Sequence, residues 1–421
     1  MGVEKRGQAV FPIALKNKED IKMHSTRKIT DDLIYVGADT RRLALFEGIY
    51  KVPHGMAYNS YLLKDERTVL FDTVDASVSA RFFENITYAL DGRGLDYVVV
   101  QHMEPDHSAT LFDLLLRYPD ATVVCNKKTL PMIKQFFGEP KNVKLVEEGE
   151  ILDTGKHKIT FVMAPMVHWP EVMVSFDLTD GTLFSADAFG SFGATDGAIF
   201  ADEVDFMRDH LDEARRYYTN IVGKYGSQVE SLLAKAAALD IKRICPLHGF
   251  IWREGFGEFI EKYKLWASYT PEVSGALIIY SSVYGNTENA AVSVAMRLRE
   301  LGVKTEMYDA SMTENSDMVA AAFKYSHAII AAPTYNAGVF TSMDAFLREL
   351  PAHGLKRRSF SIIENGTWAI SAGKQIAEIL AGVKDAVILD KRLSIKSSFG
   401  EVYSEELDAF VKEIAEHIKN N

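Results

Sequence analysis

The chain has 421 residues and a mass of 47.1 kDa, is 47% hydrophobic and 25% charged, and carries a net charge of −11. That length exceeds one average core and predicts two domains. The negative balance argues against a nucleic-acid partner, which draws on basic surface, and no apolar run is long enough to span a bilayer.

The N-terminal "AVFPIAL" (residues 9–15) is short, broken by Pro12 and followed by no cleavage-site pattern, so it does not read as a signal peptide. In "MGVEKR", Arg6 stands where a myristoylation motif needs Ser or Thr. A cytoplasmic protein is expected, with residues 1–24 as an N-terminal arm. Cys125 and Cys245 are isolated, with no CxxC, which excludes an iron–sulfur or rubredoxin site and a disulfide framework. Both read as buried thiols in a reducing compartment.

From residue 25 to 268, short strand-like runs such as "SYLL", "TVLFDT", "YVVV" and "ATVVC" mix with helical stretches, and histidines and acids sit at strand ends. His54, in "HGMAYNSYLL", precedes a strand expected to run near a site, and reads either as a residue supporting that site or as a surface residue. The densest chemistry is "VVVQHMEPDHSAT" (residues 98–110), where His102, Glu104, Asp106 and His107 follow a buried strand end. Pro105 is expected to keep this stretch extended. His102, Glu104 and Asp106 then recur every second position on one side, with His107 turned to the opposite flank, and Asp106 or Ser108 caps the helix of "SATLFDLLLRY". Further donors stand at strand ends: His168 in "FVMAPMVHWPEVMVSFD", Asp187 in "GTLFSADAFG" and His248 in "IKRICPLHG". Together they make a set of four imidazoles and three carboxylates, as a binuclear metal site requires. Trp169, next to a ligand, either closes the pocket, faces a cofactor or packs in the core.

A linker is expected at 269–274, where Pro271 and Gly275 flank polar residues. From 275 to 421 strands and helices alternate regularly through "GALIIY", "KTEMYD", "HAIIAAP", "SFSIIEN" and "DAVILD", the pattern of a doubly wound parallel sheet. "YSSVYGNTENAA" leaves the first strand and opens a helix. Ser281, Ser282, Asn286 and Thr287 bring donors, Gly285 lets the backbone approach, and the N–H groups of 281–287, Val283 and Tyr284 included, make a phosphate nest. The loop is neither GxGxxG nor GxxxxGK[ST], so one terminal phosphate, that of FMN, is expected. Two more loops at strand carboxyl ends, Pro333, Thr334, Tyr335, Asn336, Ala337 and Gly338, then Asn365, Gly366, Thr367 and Trp368, are expected to line the flavin. Tyr335 or Trp368 either stacks on the ring or packs in the core.

The HxExDH pattern with His168, Asp187 and His248 resembles that of the flavodiiron proteins, over nearly the whole chain from about Ile29. The resemblance implies an α/β fold: an N-terminal metallo-β-lactamase-like αββα sandwich plus a C-terminal flavodoxin-like doubly wound parallel sheet. It implies two irons, one held by His102, Glu104 and His168, the other by Asp106, His107 and His248, with Asp187 bridging. It further implies reduction of dioxygen to water or of nitric oxide to nitrous oxide, fed through FMN by a separate donor such as rubredoxin or a reduced deazaflavin coenzyme. A head-to-tail homodimer, alone or as a dimer of dimers, would bring each flavin to the partner chain's irons near Glu104 and Trp169. Glu104 speaks for this chemistry. A hydrolytic zinc stays electrophilic under neutral imidazoles, whereas a metal that changes oxidation state suits harder, charge-donating oxygen ligands. The alternatives are a metal-dependent hydrolase with a regulatory flavodoxin module and an electron carrier whose metal domain serves as a docking scaffold.

Overall fold

The computed structural model describes residues 24–420. The expected arm lies outside them except for His24, whose ring stacks on Tyr88. No helix among the described residues is long and apolar enough to cross a membrane.

The first lobe is a sandwich of two sheets. One has seven strands in the order Arg27–Lys28, Leu33–Tyr35, Tyr61–Lys64, Thr68–Phe71, Tyr97–Val99, Thr122–Cys125 and Val143–Leu145. The other has five, Ile151–Asp153, Lys158–Met163, Met173–Asp177, Thr182–Phe184 and Arg243–Cys245. Val69, Phe71, Val99 and Val124 of the first sheet interlock with Phe161, Met173 and Phe184 of the second, and the Phe71 and Phe184 rings stack 3.7 Å apart. Helices cover the outer faces. In Ser79–Leu90, Phe82, Phe83, Ile86 and Leu90 fall on one side and are buried, and the helix stops at Asp91 in the left-handed region, a conformation that short polar side chains tolerate. Burying two sheet faces and one helix stripe is the αββα solution.

The second lobe is a parallel sheet in the order Lys304–Asp309, Val273–Tyr280, Tyr325–Tyr335, Ser359–Gly366 and Val387–Lys396. Asn286–Glu300 and Ser404–Asn420 pack on one face through Val294, Leu298, Phe410 and Ile414. Asn315–Lys324, Thr341–Ala352 and Ala372–Leu380 pack on the other through Met318, Phe346 and Ile376. Strand order reverses between Val273–Tyr280 and Tyr325–Tyr335, so ligands are received beyond their carboxyl ends.

The junction differs from the polar linker expected at 269–274. Helix Gly257–Ala267 is followed almost at once by the strand starting at Val273, and Tyr269 is buried, its hydroxyl donating to Gly223 O at 2.8 Å. Glu272 is buried against Arg215 and accepts from Trp266 Nε1 at 2.7 Å. Arg358 is also buried and donates to Tyr269 O, Ala322 O and Phe323 O. Tyr269 and the Glu272 side chain point inward where the two lobes close over them and the charge finds partners there, while Thr270 and Ser274 stay exposed.

His327 is fully buried in the central strand, between Ser359 Oγ at 2.8 Å and Ser361 Oγ at 3.0 Å. Burial, helped by the neighbouring His417, pulls its pKa down to about 3. The folded protein therefore holds a neutral ring while the unfolded chain takes a proton below about pH 6.5, so this contribution is complete above that pH and is lost as pH falls toward 3. Denaturant unfolding should show about 2 kcal/mol less stability at pH 5 than at pH 7.5 from this residue, and His327→Gln should shrink the measured difference by that amount.

Candidate metal centre and flavin cleft

All seven expected ligands meet at one end of the sandwich, carried by the loops that follow strands Tyr97–Val99, Lys158–Met163, Thr182–Phe184 and Arg243–Cys245. His102 leaves strand Tyr97–Val99 on a loop tied down by Asp72, which accepts from Gln101 N at 2.7 Å and Gln101 Nε2 at 2.8 Å. Pro105 does not hold the motif extended. It opens a single helical turn, Pro105–Ser108, with Glu104 before it at φ −57° and ψ 138°; the missing N–H of proline costs nothing at a first helical position. The motif is thereby split. Glu104 stays in extended backbone with His102, while Asp106 and His107 turn together to the other side, so the expected single row of His102, Glu104 and Asp106 does not form. Nor does Asp106 or Ser108 cap the next helix: Ser108 Oγ donates to Met103 O at 2.9 Å, and Leu111–Arg117 begins after Thr110.

The donors form two clusters, His102, Glu104, His168 and Asp187, and Asp106, His107 and His248. Asp187 faces both. Its Oδ2 lies 3.1 Å from His102 Nε2 and 3.3 Å from His168 Nε2, and its Oδ1 lies 3.2 Å from His107 Nε2 and 3.6 Å from His248 Nε2. Glu104 Oε2 approaches His102 Nε2 at 3.2 Å and His168 Nε2 at 2.9 Å. Asp106 Oδ2 approaches His107 Nε2 at 3.2 Å and His248 Nε2 at 3.1 Å.

Two imidazoles are aimed by groups the sequence reading did not single out. Glu171 Oε1 accepts from His102 Nδ1 at 2.9 Å and from Met103 N at the same distance. Ala57 O accepts from His248 Nδ1 at 2.8 Å. Each contact fixes the outer nitrogen as the donor and leaves the Nε2 lone pair pointing inward. The loop carrying His248 is clamped by Asn59, whose Nδ2 donates to Pro246 O and Gly249 O, both at 2.9 Å. Gly249 has φ +74°, and a side chain there would meet Ser191, so only glycine fits this turn. Asn59 and Glu171 left no sequence signal beyond their polarity, because their role depends on contacts across the sandwich.

The residues fit metal ions. Both oxygens of Asp106, both of Asp187 and His168 Nε2 are buried without a hydrogen-bond partner among the described residues, while His107 Nε2 and His248 Nε2 lie only 3.0 Å apart. Buried acceptors crowded in this way are costly unless a cation takes up their lone pairs. Burial opposes charging the imidazoles, yet Asp106 and Asp187 push His107 up to about 10, and Asp187 with Glu104 pushes His168 up to about 9. Positive charge is what the carboxylates demand, and metal ions supply it without protons.

A cavity of about 630 Å³ opens on the clusters and is lined by Glu104, Asp106 and His168, with Trp169, Tyr58, Asp75 and the 43–48 loop. Trp169 is therefore at the cavity, its ring edge-on to His102 at 5.3 Å. His54 is not there. It is exposed, and its carbonyl accepts from Ala194 N at 3.0 Å. The strand begins two residues later, and Ala57 and Tyr58 make the approach to His248 instead.

The second lobe has a cleft of about 450 Å³ at the strand carboxyl ends, lined by Ser282, Val283, Tyr284, Asn286, Thr287, residues 333–337 and residues 365–369, with Ser397. Of the expected residues, Ser281, Gly285 and Gly338 do not line it. Ser281 is buried against Ser342 Oγ, Gly285 N donates to Ser282 Oγ, and Gly338 pairs with Tyr335 in a tight hairpin. Ala369 and Ser397 are additions; Asn365 Nδ2 donates to Ser397 O at 3.1 Å, bringing the loop after the fifth strand to the cleft. Trp368 and Tyr284 are 94% and 92% exposed, so Trp368 is no core residue and both flank the opening.

Residues 56–249 match the family model of the ODP family beta lactamases, and residues 278–402 match that of the flavodoxins. The anaerobic nitric oxide reductase flavorubredoxin of Vibrio vulnificus is 30% identical over 373 residues, 86% of this chain and 75% of its own. The chain belongs to the flavodiiron family. Among solved structures, the flavodiiron protein of Giardia intestinalis superposes with a TM-score of 0.87 at 26% identity, covering 93% of this chain and 97% of its own. The rubredoxin:oxygen oxidoreductase of Desulfovibrio gigas gives 0.86 at 27% identity, covering 94% and 99%. As a flavodiiron protein, the chain is a diiron oxidoreductase with FMN as its flavin.

Glu171→Gln should weaken iron binding by roughly 10–100-fold in chelator competition. His54→Ala should leave the iron content unchanged.

Proposed function

We propose that this flavodiiron protein reduces dioxygen to water, nitric oxide to nitrous oxide, or both, with electrons from a separate rubredoxin-type protein or a reduced deazaflavin coenzyme. The observation that carries this reading is the shared Asp187 between two histidine–carboxylate clusters, with Glu104 in one of them. His102, Glu104 and His168 would hold one iron, Asp106, His107 and His248 the other, and Asp187 would bridge. When bound, the irons supply electrons to a small diatomic molecule and FMN supplies electrons to the irons. The chain's own part is positional. Glu171 and Ala57 O fix imidazole orientation, and Leu43, Leu45, Phe46, Trp169 and Ile221 give the cavity apolar walls that suit a small uncharged gas. Residues 282–287 would receive the flavin phosphate at the start of helix Asn286–Glu300, and residues 333–337 and 365–368 would border the ring.

The flavin cleft and the metal cavity share no lining residue. A head-to-tail homodimer, alone or paired into a tetramer, would bring the exposed Trp368 and Tyr284 of one chain to the cavity mouth of the other, where Leu45 and Ile49 are exposed. A cytoplasmic location is part of this proposal.

Iron- and FMN-loaded protein fed by reduced rubredoxin should consume dioxygen without releasing peroxide, or nitric oxide, on paired electrodes. Dilution far enough to dissociate the dimer should stop gas consumption while flavin reduction continues. Consumption of neither gas would overturn this reading of its substrates.

A further inference from the structure

We propose that Tyr58 and Asp75 form the proton entry to the metal cavity, the Asp75 carboxylate at its mouth passing protons through water to the Tyr58 hydroxyl and on toward Asp106. The proposal rests on the gas-reductase reading above. Each dioxygen taken to two waters requires four electrons and four protons, and two nitric oxides taken to nitrous oxide and one water require two of each. The electrons come from the external donor through the flavin. The protons come from solvent and need a polar route past the apolar part of the lining, Leu43, Leu45, Phe46, Trp169 and Ile221.

The cavity offers one on a rigid element. Tyr58 lies on strand Met56–Tyr58, whose pairing with Ala38–Thr40 fixes its direction. The residue is buried, its ring edge-on to His248 at 5.7 Å, and it lines the same cavity as Asp75 and Asp106. No hydrogen bond holds its hydroxyl among the described residues. The phenol lies within electrostatic reach of both Asp75 and Asp106. Asp75 is half-buried at the start of a helical turn, where its Oδ1 accepts from Ser77 N at 2.7 Å, leaving Oδ2 to water.

A hydroxyl suits the role because it accepts one proton and donates another without carrying net charge, and a charge here would be costly. The neighbouring Ala57 O holds His248, so one short strand both aims a ligand and presents the hydroxyl. Tyr58 is thus a positioning residue that acts through ordered water.

Two variants separate this role from packing. Tyr58→Phe keeps the ring on His248, and Asp75→Asn keeps an oxygen for Ser77 N. Both should bind iron and FMN like the parent and accept electrons into the flavin at the parent rate. Gas consumption should fall about tenfold in each, with a larger solvent deuterium isotope effect. A crystal structure of the zinc-loaded parent should show ordered water bridging the Asp75 carboxylate and the Tyr58 hydroxyl. Parent-like consumption and isotope effect in either variant overturns the relay. A crystal structure with no water within hydrogen-bond distance of the Tyr58 hydroxyl also overturns it. That readout stands even if the parent consumes neither gas, an outcome in which the reductase reading has failed instead.

Discussion

The structure depends on one carboxylate placed between two clusters of histidine and carboxylate donors. Asp187 is buried with neither oxygen hydrogen-bonded among the described residues, and each oxygen faces a different pair of imidazoles. A buried carboxylate in that state is stable only beside strong positive charge. Everything around it serves to keep the remaining donors at the same place. Loops from separate strand ends converge there, and two of them are fastened by contacts that are not themselves ligands: Asp72 on the His102 loop, Glu171 on the His102 ring, and Asn59 on the His248 loop. The two interlocked sheets make those strand ends rigid, because close-packed interiors transmit displacement rather than absorb it.

The second lobe is built for a different task on the same principle of strand ends presenting loops. Its parallel sheet opens at the switch point, and the phosphate loop runs straight into a helix N-terminus. The two lobes are not independent beads. Arg215 with Glu272 and Arg358 with its carbonyls lock the junction from inside. A second seam ties helix Asn315–Lys324 to the first lobe, where Arg216 reaches Ser316 and Asn220 Nδ2 donates to Ser316 O at 3.1 Å. Asn220 belongs to the π-helical turn Tyr218–Val222 and also lines the metal cavity, while Tyr50 OH donates to its carbonyl. π-turns recur at functional sites because the extra residue redirects side chains. Here the turn brings Asn220 and Ile221 to the cavity and braces it against the flavodoxin lobe.

The ligand chemistry was legible in the sequence because it is local. His102, Glu104, Asp106 and His107 stand within six positions, and residue type at the end of an apolar strand fixes what such a cluster does. Regular alternation after residue 275 was enough to read a doubly wound sheet, since a period of two and a period near four are distinct over several elements. The phosphate loop was legible for the same reason. Local geometry was less so. Pro105 both disfavours helix before it and starts one well, and the sequence does not say which property prevails. The fold chose the second, which divided the motif between two clusters.

The sequence by itself determined the ligand types, the two-lobe order and the class of cofactor, because these follow from side-chain chemistry and short-range periodicity. Tertiary structure alone decided that Pro105 opens a helical turn inside the ligand motif and that Glu171 and Ala57 aim two of the imidazoles. It alone decided that His54 stands aside while Tyr58 enters the cavity, and that Tyr269 and Glu272 are buried in the joint between the lobes. These are contacts between residues far apart in the chain, and no local pattern encodes which distant partner a side chain will meet once both sheets close.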